Sequence, residues 1–290
     1  MSLPLLILGG PTASGKSALA HQIAERYGGG VVSADAMTVY RGLEVGTAKP
    51  TLEARARVPH WGIDLRDLHE GFTVADFEAE VDAAIASHRP VIVAGGTPFY
   101  LAALVRPLAR MPEADPALRA ELEALEAPHA RLLALDPATA ARLHPNDRVR
   151  SIRAIEVCLL SGEPMSALHA REAGRPARAH GLCWLDRPDL AERIAQRLAE
   201  MAEGDYLGEL QRALDQGADP DCKPLRSFSY VHLVAHLKGE LDLDEALRRT
   251  QRDTWRLARK QRTWARSMGW TPAAPEDAWA LAAALWGPPP

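Results

Sequence analysis

An α/β fold, with a parallel sheet covered by helices on both faces and a small all-helical insertion, is what three features of this chain predict. The apolar run Leu5-Leu6-Ile7-Leu8 leads almost directly into Gly10-Pro11-Thr12-Ala13-Ser14-Gly15-Lys16-Ser17, and a helix-like stretch from Ala18 to Ala24 follows. Strand-like and helix-like segments then alternate along most of the sequence, the pattern of β-α-β units. Between residues 112 and 144 the alternation stops and Ala, Leu, Glu and Arg take over.

The first strand, loop and helix form a P-loop-type unit in which each residue type has a mechanical task. Glycines let consecutive backbone N–H groups turn inward around a diphosphate or triphosphate, Lys16 adds a point charge, and the Ser17 hydroxyl is a ligand for Mg2+. The helix that follows points its N-terminus at the anion. Further strands are expected at Val31-Val32-Ser33-Ala34, Val91-Ile92-Val93-Ala94 and Gly181-Leu182-Cys183-Trp184-Leu185, and helices over 74–87 and 190–203. Pro112-Glu113-Ala114-Asp115-Pro116 opens the insertion, which Pro128 and Pro137 interrupt. The catalytic core is therefore expected in two pieces, 1–111 and 145–286, around a helical insertion at 112–144. Gly287-Pro288-Pro289-Pro290 is expected to be a disordered tail.

A chain of 290 residues with 47% apolar content can bury a full core. No segment approaches the ~20 apolar residues of a membrane span. Met1-Ser2-Leu3-Pro4 carries neither a basic stretch nor a small-residue cleavage site, so a cytoplasmic protein with no membrane partner is expected. Cys158, Cys183 and Cys222 are too scattered to suggest a disulfide framework or a zinc site. A net charge of −4 argues against a broadly basic nucleic-acid coat. Charge is nonetheless concentrated over 248–266, where Arg252, Arg256, Arg259 and Arg266 can share one helical face with Trp255, Leu257 and Trp264 as anchors. Such a stripe suits a phosphate backbone, and equally a solvated helix whose arginines pair with surface acids.

The loop alone serves kinases, nucleotide hydrolases and group transferases. Hydrolases of this type need an acid at the end of a neighbouring apolar strand to hold the metal. Val91-Ile92-Val93-Ala94 ends instead in Gly95-Gly96-Thr97, which argues against ATPase or GTPase chemistry and leaves a small-molecule kinase open. Asp35, just past the second strand, falls on the carboxyl edge of the sheet with the phosphate loop, where α/β sheets hold their ligands. A carboxylate there can take a proton from a nucleophile, hold Mg2+ through water, or cap a helix.

Several segments resemble one family in order. They are Gly10–Ser17, Asp35-Ala36-Met37-Thr38-Val39-Tyr40 continuing to Val45-Gly46-Thr47-Ala48-Lys49-Pro50, Gly95-Gly96-Thr97-Pro98-Phe99-Tyr100, His144-Pro145-Asn146-Asp147 with Arg150 and Arg153–Val157, and Arg259-Lys260-Gln261-Arg262-Thr263-Trp264. Together they are similar to the tRNA dimethylallyltransferases from about residue 5 to residue 266. That resemblance implies transfer of a dimethylallyl group from dimethylallyl diphosphate to N6 of the adenosine 3′-adjacent to the anticodon. Its partners would be the tRNA anticodon stem-loop and the prenyl diphosphate, with Mg2+ as cofactor and a monomeric enzyme.

By the same resemblance Gly10, Pro11, Thr12, Ala13, Ser14, Gly15, Lys16 and Ser17 hold the diphosphate, Ser17 through the metal. Asp35 is the general base, and Thr12 and Thr97 lie near the reacting atoms. Contacts to tRNA are implied at Asp35, Ala36, Met37, Thr38, Thr97, Arg119, Val149, Arg150, Ser151, Ile152 and Arg153. Either Arg193 or Arg197 matches a substrate-contacting arginine, and the cationic stripe adds Arg256 and Arg259. The chain departs from the family pattern at Ala36-Met37-Thr38, where Ser-x-Gln is usual. It departs again at Ser227-Phe228-Ser229-Tyr230-Val231-His232, where a Gly-Tyr-Lys-Glu-like signature is usual. The zinc module that some eukaryotic relatives append is absent, which implies a bacterial-type enzyme.

Overall fold

The computed structural model describes residues 4–106, 109, 111–172, 178 and 180–289 and separates into two compact units. The first comprises Met1–Leu104 and Ala179–Pro290, the second Val105–Arg178. In the first, β1 (Leu6–Gly9) leads through α1 (Lys16–Tyr27), β2 (Gly30–Ala34), α2 (Leu52–Arg57), β3 (His60–Trp61) and α3 (Val74–Ser87) to β4 (Val91–Gly95) and α4 (Pro98–Val105). The second carries α5 (Pro116–Glu123), α6 (Pro128–Leu135), α7 (Pro137–Ala140), α8 (Arg148–Ser161) and α9 (Met165–Glu172). The chain returns with β5 (Gly181–Leu185), α10 (Leu190–Glu203), α11 (Tyr206–Asp215), α12 (Val231–Leu237), α13 (Leu243–Ser267), β6 (Pro272–Ala273) and α14 (Pro275–Trp286).

All strand pairs are parallel, in the order β3-β2-β4-β1-β5-β6. The predicted α/β sheet is therefore present, and the helices expected over 74–87 and 190–203 coincide with α3 and α10. β3 and β6 were not expected, because two residues each carry no alternation to read. Inner strands alternate between faces as the pleat requires. Leu6, Leu8, Ile92, Ala94, Cys183 and Leu185 pack with Leu19, Ile23 and Tyr27 of α1 and with Ala278 and Ala282 of α14. Ile7, Val32, Val93 and Trp184 are buried as well but stand outside that cluster, consistent with the opposite face.

The helical insertion is larger than expected. Its core combines Leu122 and Leu132 with Ile152, Ala154 and Ile155 of α8, so the boundary expected at 144/145 cuts through a packed interior. Helices α5 and α6 are each a single short amphipathic segment, and α8 supplies the apolar face that both bury. Pro128 and Pro137 do not break helices but open them at the first turn, where a missing N–H is harmless. The expected disordered tail is anchored at its start, since the Tyr27 hydroxyl donates to Gly287 O at 3.1 Å. Pro290 lies outside the described residues.

One long loop after β2 is held by two charged groups. Glu209 on α11, 2% exposed, accepts the backbone N–H groups of Glu44, Val45 and Gly46, each at 2.7 Å, and the Tyr230 hydroxyl at 2.8 Å. On the loop's far side the Lys49 ammonium donates to Tyr40 O (2.7 Å), Glu44 Oε1 (2.8 Å) and Asp64 Oδ1 (2.5 Å). Gly46 is a steric necessity, because a Cβ there would collide with the rings of Tyr206 and Tyr230. Glu209→Ala would leave three backbone donors and a phenol without their acceptor. We expect a loss of about 3 kcal/mol or more, read as a lower midpoint in urea unfolding.

Candidate active site

The phosphate loop is held open from outside. Ala13 sits at φ 64° and Gly15 at φ 90°, both left-handed, and for Ala13 that region costs about 1–2 kcal/mol. External groups keep it there. Gln261 Oε1 accepts the Thr12 N–H at 3.0 Å, and Arg193 Nε donates to Ala13 O at 2.9 Å. Within the loop only the Ser14 N–H turns back, to Pro11 O at 3.2 Å. The first-turn N–H groups of α1 have no helical acceptor and face the space an anion would fill. The Ser14 hydroxyl is buried without a partner, and the Ser17 hydroxyl is exposed.

Lys16 is 9% exposed and donates to Pro11 O at 3.2 Å. Burial pushes its ammonium down to about 8, with the Asp35 carboxylate opposing that shift and the Arg197 guanidinium adding to it. Arg197 Nη1 lies 3.4 Å from Thr12 Oγ1, and burial lowers its affinity for its proton too. Between the two arginine candidates the geometry divides the work. Arg193 braces the loop backbone, while Arg197 reaches the cavity that Asp35 lines.

Asp35 caps no helix. Its Oδ1 accepts the Met37 N–H at 2.9 Å in a tight turn after β2. The turn is pinned by the Thr97 hydroxyl, which accepts the Ala36 N–H at 3.0 Å, while Thr97 N–H donates to Ala34 O at 3.1 Å. The Thr38 hydroxyl stands within reach of Ser33 Oγ (2.9 Å), Gly62 O (3.1 Å) and Asp35 O (3.2 Å). Its proton serves the protein, and only an acceptor lone pair is left for a ligand. A cavity of about 130 Å³ joins Thr12, Lys16 and Ser17 to Asp35, Met37 and Thr38. Its apolar wall includes Ile194, Leu198, Met201, Phe228 and Leu257. The divergent Ser227–His232 segment contributes Phe228 and Ser229 to that wall, and Ser229 O receives the Tyr206 hydroxyl.

The expected contacts on the helical unit separate by burial. Val149 and Arg150 are exposed on α8, Arg150 beside Asp147 at 3.3 Å. Ser151 and Ile152, expected at the RNA, are 0% and 5% exposed, and Ile152 packs into the unit's core. Arg119 and Arg153 both ion-pair with the fully buried Glu156, Arg153 at 2.5 Å. Burial alone would raise the Glu156 carboxyl, but these two guanidiniums outweigh it and hold it low. On α13 the arginines of the cationic stripe differ in their partners. Arg256 pairs with Asp253 at 2.8 Å and Arg262 with Asp186 at 2.8 Å, while Arg259 is exposed with no acid partner among the described residues.

Residues 38–268 match the family model described as IPP transferase. The chain belongs to this family. It is 42% identical to tRNA dimethylallyltransferase 1 of Trichlorobacter lovleyi over 94% of both chains. It is 45% identical to the tRNA dimethylallyltransferase of an Anaeromyxobacter species over 99% of this chain and 98% of that one. Among solved structures, the full-length tRNA isopentenylpyrophosphate transferase of Bacillus halodurans aligns with a TM-score of 0.66 at 31% identity, covering 98% of this chain and 96% of that one. A eukaryotic dimethylallyltransferase captured acting on tRNA shares the fold, with a TM-score of 0.78 at 24% identity over 90% of this chain and 69% of that one.

Within this IPP transferase three residues that organise the site were not singled out from sequence: Glu209, Gln261 and Lys49. A signal existed for the first two. Glu209 interrupts the buried stripe Tyr206, Leu210 and Ala213, and Gln261 interrupts Ala258 and Ala265. A polar residue at a core position of a helix has to meet a partner there.

The lowered Lys16 makes anion binding sensitive to pH. Lys16 is charged below about pH 8 and loses its proton above it, well short of the ordinary 10.5. Affinity for a saturated alkyl diphosphate, whose own ionisation is complete below that range, should be level up to about pH 8 and then fall by up to about tenfold per pH unit. Asp35→Asn removes a charge that supports the ammonium, so the break should move to lower pH. Isothermal titration across that range checks both outcomes.

Proposed function

We propose that this chain transfers a dimethylallyl group from dimethylallyl diphosphate to N6 of the adenosine 3′-adjacent to the anticodon in tRNA, releasing diphosphate. The observation that carries the proposal is a single cavity with an anion cradle at one end and the Asp35 carboxylate at the other. One copy of the chain holds every group the reaction uses.

The allylic C–O bond breaks and its electron pair leaves with the diphosphate. Charge developing there is met by Lys16, Arg197 and the inward N–H groups of the loop, the kind of fixed electrostatic support that is usually the largest catalytic contribution. The adenine N6 forms the new bond to carbon, and Asp35 accepts the N6 proton as it forms. Ile194, Leu198, Met201, Phe228 and Leu257 surround the prenyl group and limit access by water, which would otherwise compete for the allylic carbon. The adenosine must leave its stack to reach this depth, at a cost of a few kcal/mol that an anticodon loop keeps small.

The residues present fit Mg2+. Ser17, the second residue of α1, stands beside the cradle with no hydrogen-bond partner for its hydroxyl, and no cluster of three or more His, Cys, Asp or Glu competes for the metal, both among the described residues. Ser17 and the substrate's own phosphate oxygens would hold the ion, as Mg2+ commonly is held, and Asp35, which lines the same cavity, could reach it through water. Bound there, the ion offsets negative charge on the leaving group.

For tRNA, Val149, Arg150 and Arg259 are the exposed contacts we propose. Arg119 and Arg153 act first to set the α8 surface through Glu156, and Arg256 shares its charge with Asp253.

Mass analysis of nucleosides from tRNA incubated with the protein and the prenyl diphosphate tests the reaction; unmodified adenosine would refute it. Asp35→Ala should lower turnover by ~10²–10⁴-fold with tRNA affinity held within a few-fold. Near-normal turnover would reduce Asp35 to a turn residue. Arg259→Ala should flatten the slope of log affinity against log salt by about 0.7–0.9, and Arg256→Ala by less because Asp253 already claims it. Filter binding across a salt series reads both slopes.

A further inference from the structure

The phosphate loop and the turn that carries Thr97 are joined by one side chain of α13. Gln261 is 6% exposed, accepts the Thr12 N–H at 3.0 Å and donates from Nε2 to Gly96 O at 2.8 Å. The other cavity-lining residues on the same helical stripe are Thr250, Thr254 and Leu257. Both threonine hydroxyls donate back into their own helix, to Ala246 O (2.9 Å) and Thr250 O (2.7 Å). Gln261 is thus the residue of that stripe whose polar atoms cross to the sheet edge. The turn is shaped to receive it. A Cβ on Gly96 would lie 2.5 Å from Gln261 Nε2 and 2.9 Å from Gly10 O, so only glycine allows the approach. One residue further, Thr97 fixes Ala36 and with it the Asp35 turn.

We infer that Gln261 is a positioning residue for prenyl transfer, setting the separation between the diphosphate cradle and the Asp35 carboxylate. The inference rests on the reaction proposed above. A chain of contacts supports it: cradle, Gln261, Gly96, Thr97, Ala36, Asp35. Displacement of a leaving group by N6 with proton removal needs both ends of that chain in register, and errors near 1 Å can cost ~10²-fold in rate. The amide is chemically specific at this place. Glutamate at 261 could accept from Thr12 but could not donate to Gly96, and it would set a negative charge beside the anion. Methionine fills similar volume with neither bond. Asparagine is one methylene short of spanning both sites.

The test is turnover with tRNA and dimethylallyl diphosphate for Gln261→Glu and Gln261→Met, together with tRNA affinity, pyrophosphate affinity and thermal midpoint. We expect kcat to fall by ~10²-fold in both, with the tRNA Kd and the thermal midpoint nearly unchanged. Pyrophosphate should bind more weakly to Gln261→Glu than to Gln261→Met, because only the former adds charge. Gly96→Ala, which crowds the amide, should lower kcat in the same way, and combining it with Gln261→Ala should cost less than the product of the two single losses. An active wild type with both Gln261 variants within about twofold of its kcat overturns the inference alone. A wild type that leaves tRNA unmodified overturns the reaction and the inference together. Variants that cannot fold place Gln261 in the service of the fold, and that also overturns it.

Discussion

A loop that must offer its N–H groups to an anion cannot spend them on holding itself in shape. That constraint organises the catalytic unit. The residues from Gly10 to Ser17 make one internal backbone turn, Ser14 N–H to Pro11 O, and keep Ala13 and Gly15 in left-handed conformations. Their support comes from elsewhere: Arg193 on the Ala13 carbonyl, Gln261 on the Thr12 N–H, and the sheet beneath. The same logic explains Lys16. Buried without an acid in contact among the described residues, its ammonium is held by one carbonyl and is left short of charge compensation, which the proposed diphosphate would supply.

The loop following β2 meets the same problem with charge rather than amides. Three successive N–H groups converge on Glu209, and Lys49 ties the other side to Glu44 and Asp64. Arg55 adds a second cation to the latter pair, at 2.8 Å from Glu44 and 2.5 Å from Asp64. The run from Val45 to Pro50 is distinctive because it has to be rigid. Its Gly46, Thr47 and Ala48 line the cavity, but its charged member faces away and works as a strut.

Much of this was legible in the chain because the signals are local. A strand, a glycine-rich loop and a helix in immediate succession locate the cradle, and an acid after the next strand locates Asp35 on the same edge. What stayed hidden depends on distant pairings. Glu209 lies 163 residues from Gly46, and Gln261 lies 249 from Thr12; neither separation has a period or spacing. The insertion was misjudged for a related reason. The stretch rich in Ala, Leu, Glu and Arg ends near 144, but the apolar face that completes the core belongs to α8, whose sequence resembles any amphipathic helix. Arg119 and Arg153 illustrate a further limit. Arg153 could be paired with Glu156 from sequence, as a surface contact three residues apart, but not that Glu156 is fully buried and also claims Arg119.

The end of β4 ties these strands of argument to the chemistry. Phosphate-loop proteins that hydrolyse nucleotides place a metal-binding acid at such a position. Here the chain has Gly95 and Gly96, and the space an acid would fill is taken by the Gln261 amide on the Gly96 carbonyl. A hydrolase needs that acid to organise a metal and an attacking water. A prenyl transferase has the opposite need, since water at the allylic carbon destroys the substrate, and its nucleophile arrives from outside with its own proton to lose. Replacing a solvated carboxylate by a buried amide bonded through both its oxygen and its nitrogen removes a site for water and leaves Asp35 as the carboxylate facing the cavity among the described residues that line it. On the reaction proposed above, the glycines that first argued against nucleotide hydrolysis become part of the device that would keep the base and the leaving group in register.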